Sequence, residues 1–140
     1  GAQIKWPNDV LVDGRKLSGG LAELRNGAVI LGVGINVNQT DDELPADARL
    51  TAASLRTLDD RERDIEQLLS DVLRALEECY ATWRTDGLAA LHPRITARDF
   101  LRGREVVIGV VSGLARGIAP DGRLELEGNV FVESGEVTFT

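Results

Sequence analysis

Two dipeptides, Asp13-Gly14 and Asn26-Gly27, do most to limit how this chain can fold. Both tolerate positive φ at successive positions, which is the backbone a two-residue hairpin turn requires, and both lie between apolar-rich runs. Residues 9–13, 17–24 and 28–37 therefore read as three strands of an antiparallel meander whose register the turns set. The third run, Val29-Ile30-Leu31-Gly32-Val33-Gly34-Ile35-Asn36-Val37-Asn38, is nearly continuous in aliphatic and β-branched residues. That composition predicts a strand covered on both faces, deep in the sheet.

From Gln39 to Leu50 the sequence turns polar and acidic around Pro45 and reads as a solvated loop. Ile65, Leu68, Leu69, Val72, Leu73, Leu76, Cys79, Tyr80 and Trp83 then follow helical spacing, predicting one long amphipathic helix. Asp59 with Glu62 three positions on has the form of a capping box, and Asp86-Gly87 supplies a stop. A shorter helix around Leu88–Leu91 is expected to be cut near Pro93. Past Arg102-Gly103-Arg104 the pattern changes to short β runs at 105–111, 112–118, 123–126, 130–132 and 136–139, with turns at Pro120-Asp121-Gly122 and Glu127-Gly128-Asn129. These suit a small barrel or rolled sheet. The expected fold class is α+β, divided near residues 98–103 into a first part, 1–98, and a second, 99–140.

With 43% hydrophobic and 28% charged residues the composition is that of a chain that buries a core. A formal charge of -7 disfavours nonspecific contact with nucleic acid or anionic membrane, and no apolar run reaches the length of a membrane span. The single cysteine, Cys79, falls in the apolar helical stripe and reads as a buried thiol, consistent with a reducing cytoplasm. The single histidine, His92, has no ligand-spaced Cys or carboxylate, which argues against a zinc site or a Ser-His-Asp triad. The chain enters a motif-bearing stretch directly after Gly1-Ala2-Gln3, without an initiator Met, so further residues are expected upstream.

The chemistry-bearing residues cluster in the first 38 positions. Lys5-Trp6-Pro7-Asn8-Asp9 sets a cation, an aromatic, an amide and a carboxylate around a rigid proline; it is equally a site or a core aromatic leading into an Asx turn. Lys16 by itself is a solvated turn lysine, but Ser18-Gly19-Gly20 follows it, and glycines within a strand mark places where a ligand or another backbone comes close. A cation beside such a gap can offset charge developing on a carboxylate or phosphate. Gly32 and Gly34 alternate with Asn36 and Asn38 along one strand face, either to admit a ligand or to relieve crowding against a helix. Neither phosphate-binding glycine signature is present.

Taken in order, Lys5-Trp6-Pro7-Asn8-Asp9, Lys16-Leu17-Ser18-Gly19-Gly20 and Leu31-Gly32-Val33-Gly34-Ile35-Asn36-Val37-Asn38 resemble the successive motifs of biotin protein ligases. Ala53-Ser54-Leu55, the long helix, and Gly117-Ile118, Gly122 and Gly135-Glu136-Val137 near the end extend the likeness over essentially the whole chain. The resemblance implies part of a class II synthetase-like catalytic sheet followed by an SH3-like β-barrel. It implies activation of biotin by ATP and magnesium to biotinyl-AMP, then transfer to a lysine of a biotin carboxyl carrier protein. By resemblance, Lys16 and Asp9 are the catalytic candidates; Lys16, Ser18, Gly19 and Gly20 bind biotin; Lys5, Trp6, Asn8, Asn36 and Glu136 bind ATP, with Asn36 near the metal.

Two features depart from the family pattern. The glycine- and arginine-rich loop that clamps biotin lies upstream of the tryptophan motif and is not among these residues, and the end of the chain carries Thr140 where the family commonly has an arginine. The chain alone is therefore expected to be inactive or poorly active until the N-terminal half is supplied. A non-catalytic module that dimerises through its sheet edge, and a relative of lipoate ligases, are the alternatives.

Overall fold

A computed structural model describes residues 1–46 and 50–140; residues 47–49 of the expected loop lie outside them. The chain forms two compact units, Gly1–Ile4 with Asn8–Asp64, and Lys5–Pro7 with Ile65–Thr140.

The first sheet runs in the order β1 (Ala2–Lys5), β2 (Asp9–Val12), β3 (Arg15–Arg25), β4 (Ala28–Ile35). Both hairpin dipeptides adopt successive positive φ, 51° and 73° at Asp13-Gly14 and 51° and 79° at Asn26-Gly27. This is the turn twist that matches the flanking strands. Between β2 and β3 the register slips: Asp9 faces Gly19 and Val10 faces Ser18, but Leu11 faces Lys16. The extra residue, Leu17, makes a bulge that turns Lys16 onto the sheet face of Asp9, Leu11 and Gly19. In an unbroken ladder Lys16 would point to the other face.

β4 departs from the expectation of a covered strand. It is the edge of the sheet, with Val29 67% and Ile30 54% exposed. Pairing places Leu24, Val29, Leu31 and Val33 on one face as an apolar stripe. An aliphatic run records the cover a strand is suited to receive, and β4 receives none within its own unit. The strand ends at Ile35, so the alternation does not carry on to Asn36 and Asn38. Asn36 N–H instead donates to the Leu17 carbonyl, while the Asn38 amide clamps Arg63, accepting from its N–H and donating to its carbonyl.

Helix α1 (Leu55–Asp59) begins at a capping box in which the Ser54 hydroxyl accepts from Thr57 N–H and the Thr57 hydroxyl accepts from Ser54 N–H. The box expected at Asp59 and Glu62 is not formed. Asp59 closes α1 and its carboxylate holds the Arg63 guanidinium at 2.8 Å.

In the second unit, α2 (Ile65–Asp86) has the predicted spacing and ends at Gly87, φ 74°. No α2 residue is buried, and Leu69, Leu73, Tyr80 and Trp83 are exposed. Cys79 is accordingly half-buried, where a buried thiol was expected, with an Arg94 N–H 3.8 Å from its sulfur. α3 (Leu88–Thr96) passes through Pro93, which was expected to end it. Proline removes only one donor, and the last turn is held by the Thr96 hydroxyl donating to the His92 carbonyl and by Ala97 N–H donating to Pro93.

The five C-terminal runs form β5 (Glu105–Ile108), β6 (Val111–Ile118), β7 (Leu124–Leu126), β8 (Val130–Val132) and β9 (Val137–Phe139), in sheet order β8-β7-β6-β5-β9. Alternation buries Val106 and Ile108 on β5 and Leu124 and Leu126 on β7, beside Phe100 and Leu101. Among the described residues no helix is long and apolar enough to cross a membrane.

Candidate active site

The bulge at Leu17 gives the site its centre. Lys16 Nζ lies 2.7 Å from Asp9 Oδ1, an ion pair in which the lysine side chain is 38% exposed and the carboxylate 10%. Beneath the pair is Gly19: a Cβ added there would meet Asp9 Oδ1 and Lys16 Cε at 3.3 Å and Nζ at 3.4 Å. Gly34 pairs with Gly19, and Gly32 lies two residues away along β4 opposite Leu21, so the three glycines fall on one sheet face and leave it without side chains around Gly19 and Gly34. Crowding does not account for the β4 glycines. A Cβ at Gly32 would come no nearer than 3.8 Å, and at Gly34 no nearer than 4.0 Å, to a backbone oxygen.

Lys16, Ser18, Gly19 and Asn36 line a cavity of about 300 Å³ whose other walls include Leu17, Ile35, Pro45 and Ala52. This volume is at the lower end of small-molecule sites, and the mixture of apolar walls with a few polar groups is the usual one. The backbone of Lys16 is tied to the far wall: its N–H donates to Thr51, and its carbonyl accepts from Ala53 N–H at 2.8 Å. Asn36 donates through Nδ2 to the Ala53 carbonyl at 3.0 Å, which leaves Oδ1 as the end of the amide turned from that bond. Arg15 reaches the Ala52 carbonyl and the Asp41 carboxylate, joining the hairpin to the start of the polar loop.

The remaining candidates separate. Asn8 is bonded to β3 by its side-chain amide to the Gly20 carbonyl and by its own carbonyl from Gly20 N–H. Gly20 lies on the opposite sheet face from Gly19. Lys5 and Trp6 are buried and belong to the second unit, where the Trp6 indole N–H donates to the Gly122 carbonyl. Glu136 is an exposed residue of that same unit. Reading the motifs did not find Pro45 and Ala52. Both lie where the sequence shows only a polar loop and a helix approach, and the place of Ala52 depends on its parallel bridge to Lys16.

Comparison with known proteins gives first a class. Residues 1–39, which hold all the candidate site residues except Glu136, match the Biotin/lipoate A/B protein ligase family. More particularly, the chain is 38% identical over 148 aligned residues to the Biotin--[acetyl-CoA-carboxylase] ligase of Mycobacterium tuberculosis, covering 96% of this chain and 52% of that protein. It is 32% identical to the Bifunctional ligase/repressor BirA of Bacillus spizizenii, covering 89% of this chain and 41% of that protein. Among solved structures, the biotin protein ligase from Aquifex aeolicus in complex with biotin and ATP superposes with a TM-score of 0.86 at 28% identity, over 99% of this chain and 62% of that one. The chain is thus similar in sequence and fold, over nearly its full length, to part of a biotin protein ligase. It spans about half the length of the curated relatives it matches.

Proposed function

We propose that this chain supplies the lysine-bearing side of a biotin protein ligase active site. The observation that carries the reading is the Lys16 ammonium, paired with Asp9, on the rim of a cavity floored by glycine backbone. In the first step a carboxylate oxygen of biotin attacks the α-phosphorus of ATP; the new P–O bond forms as the bond to pyrophosphate breaks. Lys16 offsets the negative charge gathered between carboxylate and phosphate. In the second, the amine of a carrier-protein lysine attacks the acyl carbon, the C–N bond forms, AMP leaves and the amine gives up a proton.

Ser18 and Gly19 form the wall and floor against which biotin lies, and Gly20, on the opposite sheet face, takes part only through its bonds to Asn8. The family resemblance assigns Lys5, Trp6, Asn8 and Glu136 to the nucleotide. Asn36 Oδ1, an uncharged oxygen donor, suits a magnesium ion that arrives with ATP and screens its phosphates. Among the described residues no three His, Cys, Asp or Glu side chains gather to hold a metal. We read residues 99–140 as an SH3-like terminal domain, residues 1–98 as part of the catalytic domain, the carrier protein and an N-terminal half of the ligase as partners, and the cytoplasm as the compartment.

The test is to assay biotin-dependent pyrophosphate exchange, then transfer to an apo carrier domain, with this chain alone and with the chain joined to whatever precedes it in its reading frame. Activity in the longer form that is lost in Lys16→Ala supports the reading; activity with lipoate and none with biotin overturns it. A second reading, a module that pairs with another copy through β4, is favoured by that strand's open edge and exposed apolar stripe. Sedimentation of the isolated chain decides it: a dimer that Leu31→Lys converts to monomer supports pairing, and a monomer at all concentrations removes it.

A further inference from the structure

We propose that Asp9 is the positioning residue for Lys16, holding its ammonium over the bare backbone of Gly19 at the rim of the cavity, and that it is not the base for the transfer step. The inference rests on the biotin-ligase reading and deepens it. Three features converge on it. The bulge at Leu17 brings Lys16 onto the face of Asp9, which an unbroken ladder would prevent. The carboxylate then meets the ammonium at 2.7 Å. And Gly19 lies under the pair, where an added Cβ would crowd both partners at 3.3–3.4 Å.

The division of exposure assigns the roles. A base has to come within about 2.6–3.2 Å, or one water, of the proton it takes. Asp9 offers an incoming amine little surface, since its side chain is 10% exposed and one oxygen is turned onto Lys16. Lys16 is the member of the pair that a ligand meets. A lysine stem has several rotatable bonds, and its freedom is lost on being held. Asp9 settles the ammonium in place before the reacting carboxylate arrives, so that the cation need not be ordered at the moment of reaction.

The chain has only two lysines, Lys5 and Lys16. Lysine labelled with ¹³C at Cε therefore gives two ε-methylene signals by NMR, which Lys16→Met assigns. The two ε protons of Lys16 are expected to be inequivalent in the native chain and to merge in Asp9→Asn, with Gly19→Ala moving them by a different route. Kinetics in the active longer form supply the functional half. Asp9→Asn should lower the turnover of pyrophosphate exchange about tenfold or more while KM for biotin and ATP stays within about threefold, and should slow transfer by no greater factor. Exchange at the native rate with transfer lost would make Asp9 the base and overturn the proposal. So would ε protons of Lys16 that are already equivalent in the native chain. If Lys16→Met leaves exchange unchanged, the ligase reading itself falls; if Lys16→Met is inactive and Asp9→Asn is fully active, only the positioning role falls.

Discussion

The indole N–H of Trp6 donates to the carbonyl of Gly122 at 2.9 Å, joining two residues 116 positions apart within one compact unit. The tryptophan of the first motif is thus part of a core, 4% exposed. Trp6→Phe keeps an aromatic ring and removes this donor, leaving a partly buried carbonyl without it. The expected loss of stability is about 1–2 kcal/mol by urea unfolding. A variant as stable as the parent would show that the bond contributes nothing.

Ser54 does two things at once at the start of α1. Its hydroxyl accepts from Thr57 N–H at 3.0 Å and donates to the Gln39 carbonyl at 2.6 Å, and the residue is fully buried. Ser54→Ala should therefore cost about 1–2 kcal/mol, toward the upper end of the range for a helix cap. Thr57→Val, which removes only the reciprocal half of the box, should cost less. The order of the two unfolding midpoints checks the assignment.

Two glycines with positive φ should respond differently to alanine. Gly109 (φ 60°) has open space where a Cβ would stand, so Gly109→Ala bears only the backbone cost of roughly 1–2 kcal/mol. At Gly135 (φ 140°) a Cβ would sit 2.6 Å from Ile108 Cγ2, on top of a backbone region that is almost reserved for glycine. Gly135→Ala should be clearly the worse of the pair in thermal unfolding. Ile108→Val in the same chain should recover part of the loss through relief of the contact; strict additivity would show the clash is absent.

The Arg63 guanidinium bonded to Asp59 holds that carboxyl below its ordinary value of 3.8. A carboxyl lowered on folding adds stability that is fully present above its unfolded value and fades as the pH falls through the lowered one. Native chain and Asp59→Asn should accordingly differ most above about pH 5 and converge on acidification, with a small amplitude because the pair is exposed to solvent. Melting temperatures across an acid series decide the matter. A difference that grows as the pH drops would refute it.

Local chemistry was enough to read the turns and the element types. Asp13-Gly14 and Asn26-Gly27 make their turns because the backbone they need is one that Asn, Asp and Gly tolerate, and α2 runs where apolar residues recur at helical spacing. The five C-terminal strands follow from turn residues spaced between β-branched runs. The motif order also carried the family resemblance, since those residues are contiguous in sequence. Burial was not legible in the same way. β4 and α2 have the composition of covered elements and are exposed, because burial belongs to the neighbour as much as to the strand or helix.

What the sequence determined, then, was the set of local conformations and the identity of the chemical groups: Asp9, Lys16 and Gly19 around the first hairpin turn, and Gly32 and Gly34 after the second. Only the tertiary structure decided which of them meet. One inserted residue in β3 changes the face on which Lys16 stands, and the bridge from Lys16 to Ala52 brings a distant segment in as a cavity wall. The physical reason is that side-chain direction in a strand has a period of two, so a single-residue slip in pairing reverses it, and pairing is a property of two strands at once.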